Sequence, residues 1–370
     1  MLQEEGYATH LRDEYDQGDK MKNPEITQLL ALALLALTLW ALPRAALAQS
    51  APRDIRIAIG VDEKHPKGLA VLKFAELLKE SSGGKLTATL HANGKLGGDA
   101  KTITEMQRGT LEMAVPDTAT LVSQIKGFGI INFPFLFSSE ADADVLLDGQ
   151  FGQKLNASLE KIGLVGLGFW ENGFRNVTND VRDITRLEDF RGLRIRVIEN
   201  PMYIETFKAL GAMPVPLPLP FPEVYANLQD KKIDGQENPL VTIQSSKFYK
   251  VQKYLTLTRH TYSVWIFLMS KQMWDKLSRE EQALIKSAAA ETLRYERSMM
   301  RSNSAAILED LRKSGMAIHE PSSVQRSDLR RITRPIIDKY KKEFGEEWTL
   351  ALYLGMVDNE LTKFKAPEKR

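Results

Sequence analysis

Between Arg279 and Ser314 the chain runs 36 residues without glycine or proline, entered through Ser278-Arg-Glu-Glu281, whose Ser and Glu stand at capping-box spacing. As one helix this run would extend about 54 Å, far past the usual length. A helix that long cannot fit within one lobe; it would lie across two and tie them together. The other reading is two helices meeting near Arg301-Ser-Asn-Ser304, where helix propensity drops.

Upstream, the hydrophobic pattern switches repeatedly between periods of two and 3.6. Asp54 to Ile59 alternates as a strand, Leu69 to Glu80 has helical spacing, Leu86 to Leu90 is a second strand, Thr102 to Arg108 a helix and Leu111 to Val115 a strand. Strand-helix-strand-helix order marks an open α/β sheet. Leu164 to Phe169 and Leu193 to Val197 read as further strands, the latter ending at Asn200-Pro201, which suits an N-cap and a first helical residue. Tyr203, Phe207 and Leu210 line one face of that helix and Gly211 closes it. Glu223 to Asp230 predicts a helix, Lys232 to Asp234 a short strand, and Ser263 to Met269 an aromatic, β-branched strand. The pattern predicts two α/β lobes, with no solenoid repeat and no low-complexity tract.

The N-terminus reads as an export signal. From Met21 a charged start precedes an apolar run, Leu29 to Leu42, and Ala46-Leu47-Ala48 supplies a small-x-small cleavage site before Gln49. Some fourteen apolar residues fall short of the roughly twenty that span a bilayer. Residues 1 to 20 are polar and acidic and spoil the start of such a signal, so translation is expected to begin at Met21, with cleavage near Ala48. Loss of residues 1–48 removes four basic and seven acidic side chains and moves the formal charge from +2 to +5. No Lys/Arg block is dense enough to follow a phosphate backbone, so no nucleic-acid partner is expected. The chain holds no cysteine, which excludes disulfides and thiolate chemistry and leaves packing alone to stabilise it.

Catalytic motifs are missing. The five histidines, His10, His65, His91, His260 and His319, include no i, i+4 pair, and there is no G-x-S-x-G elbow. Asn93-Gly-Lys-Leu-Gly-Gly98 lacks phosphate-loop spacing and reads as a strand-to-helix turn. No enzymatic activity, metal or cofactor is expected. What the chain does offer is a carboxylate grip: Arg175 in Trp170-Glu-Asn-Gly-Phe-Arg-Asn176, Arg196 in Gly192-Leu-Arg-Ile-Arg-Val197, and Asp234-Gly-Gln-Glu-Asn-Pro-Leu240 some forty residues on. A guanidinium matches a carboxylate with two parallel hydrogen bonds and stays charged. Arg194 and Arg196 share the face opposite Leu193, Ile195 and Val197. Periodicity alone makes them two solvated strand arginines. Position separates them, because Arg196 stands at the strand's carboxyl end, where open α/β sheets bind ligands.

Leu193-Arg-Ile-Arg-Val197, Ala209-Leu-Gly-Ala212, Pro214-Val-Pro216, Phe221-Pro-Glu-Val-Tyr225, Asp234-Gly-Gln-Glu-Asn-Pro-Leu240 and Lys247-Phe-Tyr-Lys-Val-Gln-Lys253 recur in order with His65-Pro66, Leu96-Gly97, Phe133-Pro-Phe-Leu-Phe137 and Asn172-Gly-Phe-Arg175. In this the chain resembles TRAP transporter solute-binding proteins of the DctP type from about Ile55 to Thr349. One departure is Pro216-Leu-Pro-Leu-Pro-Phe221, longer than that family's usual segment by a Leu-Pro. The resemblance implies an α/β, two-lobed, periplasmic binding protein-like (type II-like) fold with a long helix spanning both lobes. Lobe I would comprise 53–172 and 264–303, lobe II 173–263 and 304–365. It implies a periplasmic monomer that closes on a small organic acid and hands it to TRAP membrane permease subunits. The substrate-binding residues it points to are Arg196 on the carboxylate and Arg175 as a second cation, with Asn238, Asp117, Glu199, Phe221 and His260 around the rest. Trp170 could stack on an apolar ligand face. Bland alternatives stand beside these: Asn238 holding a turn, Glu199 favouring a helix start, Phe221 in the core, His260 in a loop, and Trp170 as a buried structural tryptophan. Acidic groups at 117 and 199 would repel a second carboxylate and accept hydroxyls, which favours a sugar acid such as a uronate over a four-carbon dicarboxylate.

Overall fold

The computed structural model describes residues 53–217, 220–302 and 304–352. The export-signal region 1–48 and Pro218-Leu219 of the lengthened segment lie outside the described residues. Two sheets organise the chain. The first has the order β2-β1-β3-β10-β4, with β1 (Arg53–Ala58), β2 (Leu86–His91), β3 (Met113–Ala114), β4 (Leu164–Phe174) and β10 (Tyr262–Ser270). β1 runs parallel to β2 and β3, and β10 antiparallel to β3 and β4. The second has the order β11-β9-β5-β8-β6-β7, with β5 (Asn176–Asn179), β6 (Arg194–Val197), β7 (Met213–Pro216), β8 (Gly235–Asn238), β9 (Tyr254–Thr256) and β11 (Ala317–His319). The two-lobed α/β architecture expected from the alternation is present.

Local chemistry explains where the elements begin. Asn200 caps the helix Pro201–Ala209 by accepting from Met202 N, with Pro201 at the first position. Ser278 and Glu281 form the reciprocal capping box of the helix Arg279–Arg301. That helix ends at Arg301 and the next begins at Ser304, so the Gly/Pro-free run is two helices. The first packs on the helix Pro66–Ser81 and on β4, the second on the helix Leu240–Ser245. The pair, rather than one continuous helix, passes from the first sheet's side to the second's.

Other boundaries differ from the sequence reading. Lys232 to Asp234 is a turn, and the strand is the polar Gly235–Asn238, wholly buried. β4 continues past Phe169 through Glu171, Asn172 and Gly173 to Phe174. Its polar residues are tolerated because each is partnered: Glu171 N donates to Glu296, the Glu171 carboxylate pairs with Arg301, and Asn172 donates to Ser263. The stretch 336–352, expected with lobe II, packs elsewhere. Ile336, Tyr340 and Phe344 join the cluster of Phe128, Phe133 and Phe151, and Phe344 lies so close on Gly129 that no Cβ would fit there. Only Leu329, earlier in the helix Ser323–Phe344, enters the cluster of Phe190, Ile195 and Phe207.

Candidate functional site

β4 ends in the first sheet at Phe174 and β5 begins in the second at Asn176, which makes Arg175 the residue that crosses between them. A register shift pairs Ser263 with Gly173 and Val264 with Glu171, leaving Asn172 as the extra residue of a bulge. Such a bulge re-aims a side chain. Gly173, at φ 100°, supplies the backbone freedom for the turn into Arg175.

At this crossing lies a cavity of about 400 Å³. Its walls come from the carboxyl ends of strands in both sheets: Gly60 beyond β1, Asp117 beyond β3, Ile198 and Glu199 beyond β6, and Asn238 at the end of β8. Carboxyl-end crevices are where open α/β sheets place ligands. Six of the eight candidates named from the sequence, Asp117, Arg175, Arg196, Glu199, Phe221 and Asn238, meet here.

The two arginines have different electrostatic surroundings. Arg175 is 1% exposed. Its Nε and Nη2 donate to the Glu237 carboxylate, Nη2 also to Asn238 Oδ1 at 3.1 Å, and Nη1 to Ser263 Oγ at 3.2 Å. Burial alone would lower this guanidinium, but Glu237 outweighs it and holds it above the ordinary value. Burial would raise Glu237 in turn, yet Arg175 and His260 hold it low. Arg196 is 6% exposed. Its Nε and Nη2 both donate to Leu217 O, at 3.0 and 2.7 Å, and it makes no salt bridge among the described residues. Burial pulls it down to about 10, offset in part by Glu237 and deepened by Arg175. Arg194, on the same strand face, instead forms a half-exposed ion pair with Asp234 at 2.6 Å.

Acceptors face these cations. Asp117 caps a short helical turn through Ala119 N at 2.9 Å, and its Oδ2 accepts from Ser263 Oγ at 2.6 Å. Asn172 Oδ1 is buried and has no partner among the described residues. Glu199 is exposed at the mouth, and Phe221, half-buried, stands between the cavity and an outer groove lined by Asp62, Lys64 and Tyr225.

His260 and Trp170 do not line the cavity. His260 is buried, its Nε2 3.2 Å from Glu237 Oε2 and its Nδ1 2.8 Å from the Thr258 hydroxyl. It therefore braces the carboxylate that braces Arg175. Trp170 is a core residue, 4.9 Å from Phe267 between ring centroids. The tryptophan on the wall is its cross-strand partner Trp265, which bridges to Asp117 beside β3. Lys67 and Asp99 also line the cavity and escaped the sequence reading. A signal existed for Lys67, since an ammonium in the first turn of a helix opposes the macrodipole.

Residues 57–343 match the family model for DctP, bacterial extracellular solute-binding protein, family 7. The chain belongs to this family. Among solved solute-binding structures, a sugar acid binding protein from Advenella mimigardefordensis in complex with galactonate is 40% identical, with a TM-score of 0.80 over 82% of this chain and 98% of that one. A TRAP periplasmic solute-binding protein from Sulfurospirillum deleyianum with bound succinate is 28% identical, with a TM-score of 0.77 over 81% of this chain and 98% of that one. The 2,3-diketo-L-gulonate-binding periplasmic protein YiaO of Escherichia coli is 35% identical over 268 residues, 72% of this chain and 81% of its own. Members of the family are thus receptors for small organic acids.

Proposed function

We propose that this solute-binding protein is exported to the periplasm, closes on a hydroxylated monocarboxylate of the sugar-acid class, and delivers it unchanged to a TRAP membrane permease. The observation that carries the substrate class is the pairing of the two guanidiniums on the cavity. Arg175 is neutralised by Glu237, so Arg196 is the one guanidinium on the cavity without a carboxylate partner among the described residues. A single carboxylate matches it. Asp99, Asp117 and Glu199 on the same walls would repel a second carboxylate and accept hydroxyl protons. A carboxylate leaving water loses hydration that only several charge-assisted bonds offset. Donors drawn from both sheets supply them in a closed cleft, so ligand favours closure by its differential affinity. The lobes that close are taken as 53–172 with 264–303 against 173–263, the later segments straddling both.

A thermal-shift screen tests this, because stabilisation grows with ligand concentration over its dissociation constant. Galactonate and galacturonate are expected to raise Tm at concentrations where succinate, malate and fumarate do not; the reverse ranking defeats the sugar-acid reading. A second reading, a four-carbon dicarboxylate, draws on the ammonium of Lys67 across the cavity. Recovery of the acid chemically intact after binding separates a receptor from an exported enzyme.

A further inference from the structure

Lys67 is placed where its charge is costly. It is the second residue of the helix Pro66–Ser81, 2% exposed, at the positive end of the helix dipole. Its Nζ donates to Val115 O at 2.8 Å and sits 3.8 Å from the centroid of the Trp265 ring. These two contacts leave the ammonium a third proton, and it makes no salt bridge among the described residues. The helix start does not depend on the ammonium, because the backbone N–H of Lys67 is capped by His65 Nδ1 at 3.0 Å.

What surrounds Lys67 argues against a second carboxylate in front of it. Asp99 and Asp117 line the same wall, joined by Asp117 N donating to Asp99 Oδ2 at 2.9 Å. A ligand carboxylate at Lys67 would be gripped by one cation while facing two anions. A hydroxyl fits this chemistry, because it can accept from an ammonium and donate to a carboxylate at once. Asp99 lines the cavity with both Lys67 and Arg196 and feels the charge of each.

We propose that Lys67 and Asp99 form a hydroxyl-reading pair in the cavity that Arg196 lines, with the ligand hydroxyl accepting from Lys67 Nζ and donating to Asp99. The pair makes the receptor specific for polyhydroxylated acids and rejects their deoxygenated counterparts, since an acid without that hydroxyl screens the buried ammonium and the half-buried Asp99 carboxylate from water and returns no hydrogen bond to either. The inference rests on the monocarboxylate reading of Arg196.

The test is calorimetry on the full chain, parent and Lys67→Met and Asp99→Asn variants, with galactonate, galacturonate, hexanoate and succinate as probes, and with Tm recorded in the absence of any acid. Lys67→Met keeps an unbranched stem on Trp265, and Asp99→Asn keeps the shape and the acceptor for Asp117 N. Both variants are expected to weaken the two hydroxylated acids by about thirtyfold or more while moving hexanoate less than about threefold. Hydroxylated acids bound as tightly as by the parent overturn the pair. So does an equal loss for every probe accompanied by a lower Tm, which marks Lys67 as a structural cation only. A parent that prefers succinate to both hydroxylated acids overturns the substrate reading itself, a result visible before any variant is made.

Discussion

Arg175, at the junction of β4 and β5, and Arg196, on β6, reach one cavity, yet one is embedded in a finished ion pair and the other is not. Arg175 is held by Glu237, Asn238 and Ser263, with His260 behind Glu237. Arg196 is held by a single carbonyl, Leu217 O. Burial is nearly the same; compensation differs. The contrast teaches that the first arginine is committed to the frame while the second keeps a charge no carboxylate of the described residues pairs, although both carry the same side chain into the same space.

The contrast can be broken by substitution. Arg175→Met would leave the Glu237 carboxylate buried without its cation, and we expect unfolding in urea, without ligand, to show a loss of about 3–5 kcal/mol. An unchanged unfolding free energy would remove Arg175 from the frame. Arg196→Ala is expected to weaken acid binding by more than about a hundredfold, roughly 3 kcal/mol, while unfolding without ligand is unchanged or shifted to higher urea, because an uncompensated buried charge is removed. Near-parent affinity in calorimetry would detach Arg196 from the ligand. A third expectation concerns pH. Burial holds the Lys67 ammonium at about 8, against the pull of Asp99, Asp117 and Glu296, and His65 beside it, pulled to about 3, stays neutral. The ammonium is present below pH 8 and lost above it, so raising the pH from 7 to 9 should weaken a hydroxylated acid by up to about tenfold, with a flat profile in Lys67→Met. The smallest effect belongs to Arg194→Ala. Its pair with Asp234 is half-exposed, so stability should fall by about 1 kcal/mol or less and affinity should stay within about twofold; a larger affinity loss would mean that strand face, not strand end, decides which arginine binds.

Much of the frame was legible because it is written in local chemistry. Asn200-Pro201 announces a helix start and Ser278 to Glu281 a capping box, and both are made as read. The Gly/Pro-free run hid its break, since Ser302-Asn303 lowers helix propensity without forbidding helix. β8 was illegible: Gly-Gln-Glu-Asn carries no alternation of polarity, because Gln236, Glu237 and Asn238 are all buried and satisfied by Thr178, Arg175 and each other. In the site, strand-end position singled out Arg196, whereas Trp170 and Trp265 could not be told apart. They sit opposite each other in β4 and β10, both in apolar strands, and only the bridge from Trp265 to Asp117 carries one of them to the wall.

The helix Ser323–Phe344 gives Leu329 to one apolar cluster and, past Pro335, gives Ile336, Tyr340 and Phe344 to another. Two hydrophobic interiors therefore wait for the same late-synthesised segment before either is complete. A nascent chain lacking it leaves both of these interiors open, while the cluster of Ile55, Phe74, Trp265 and Ile285, which takes nothing from this helix, is already complete.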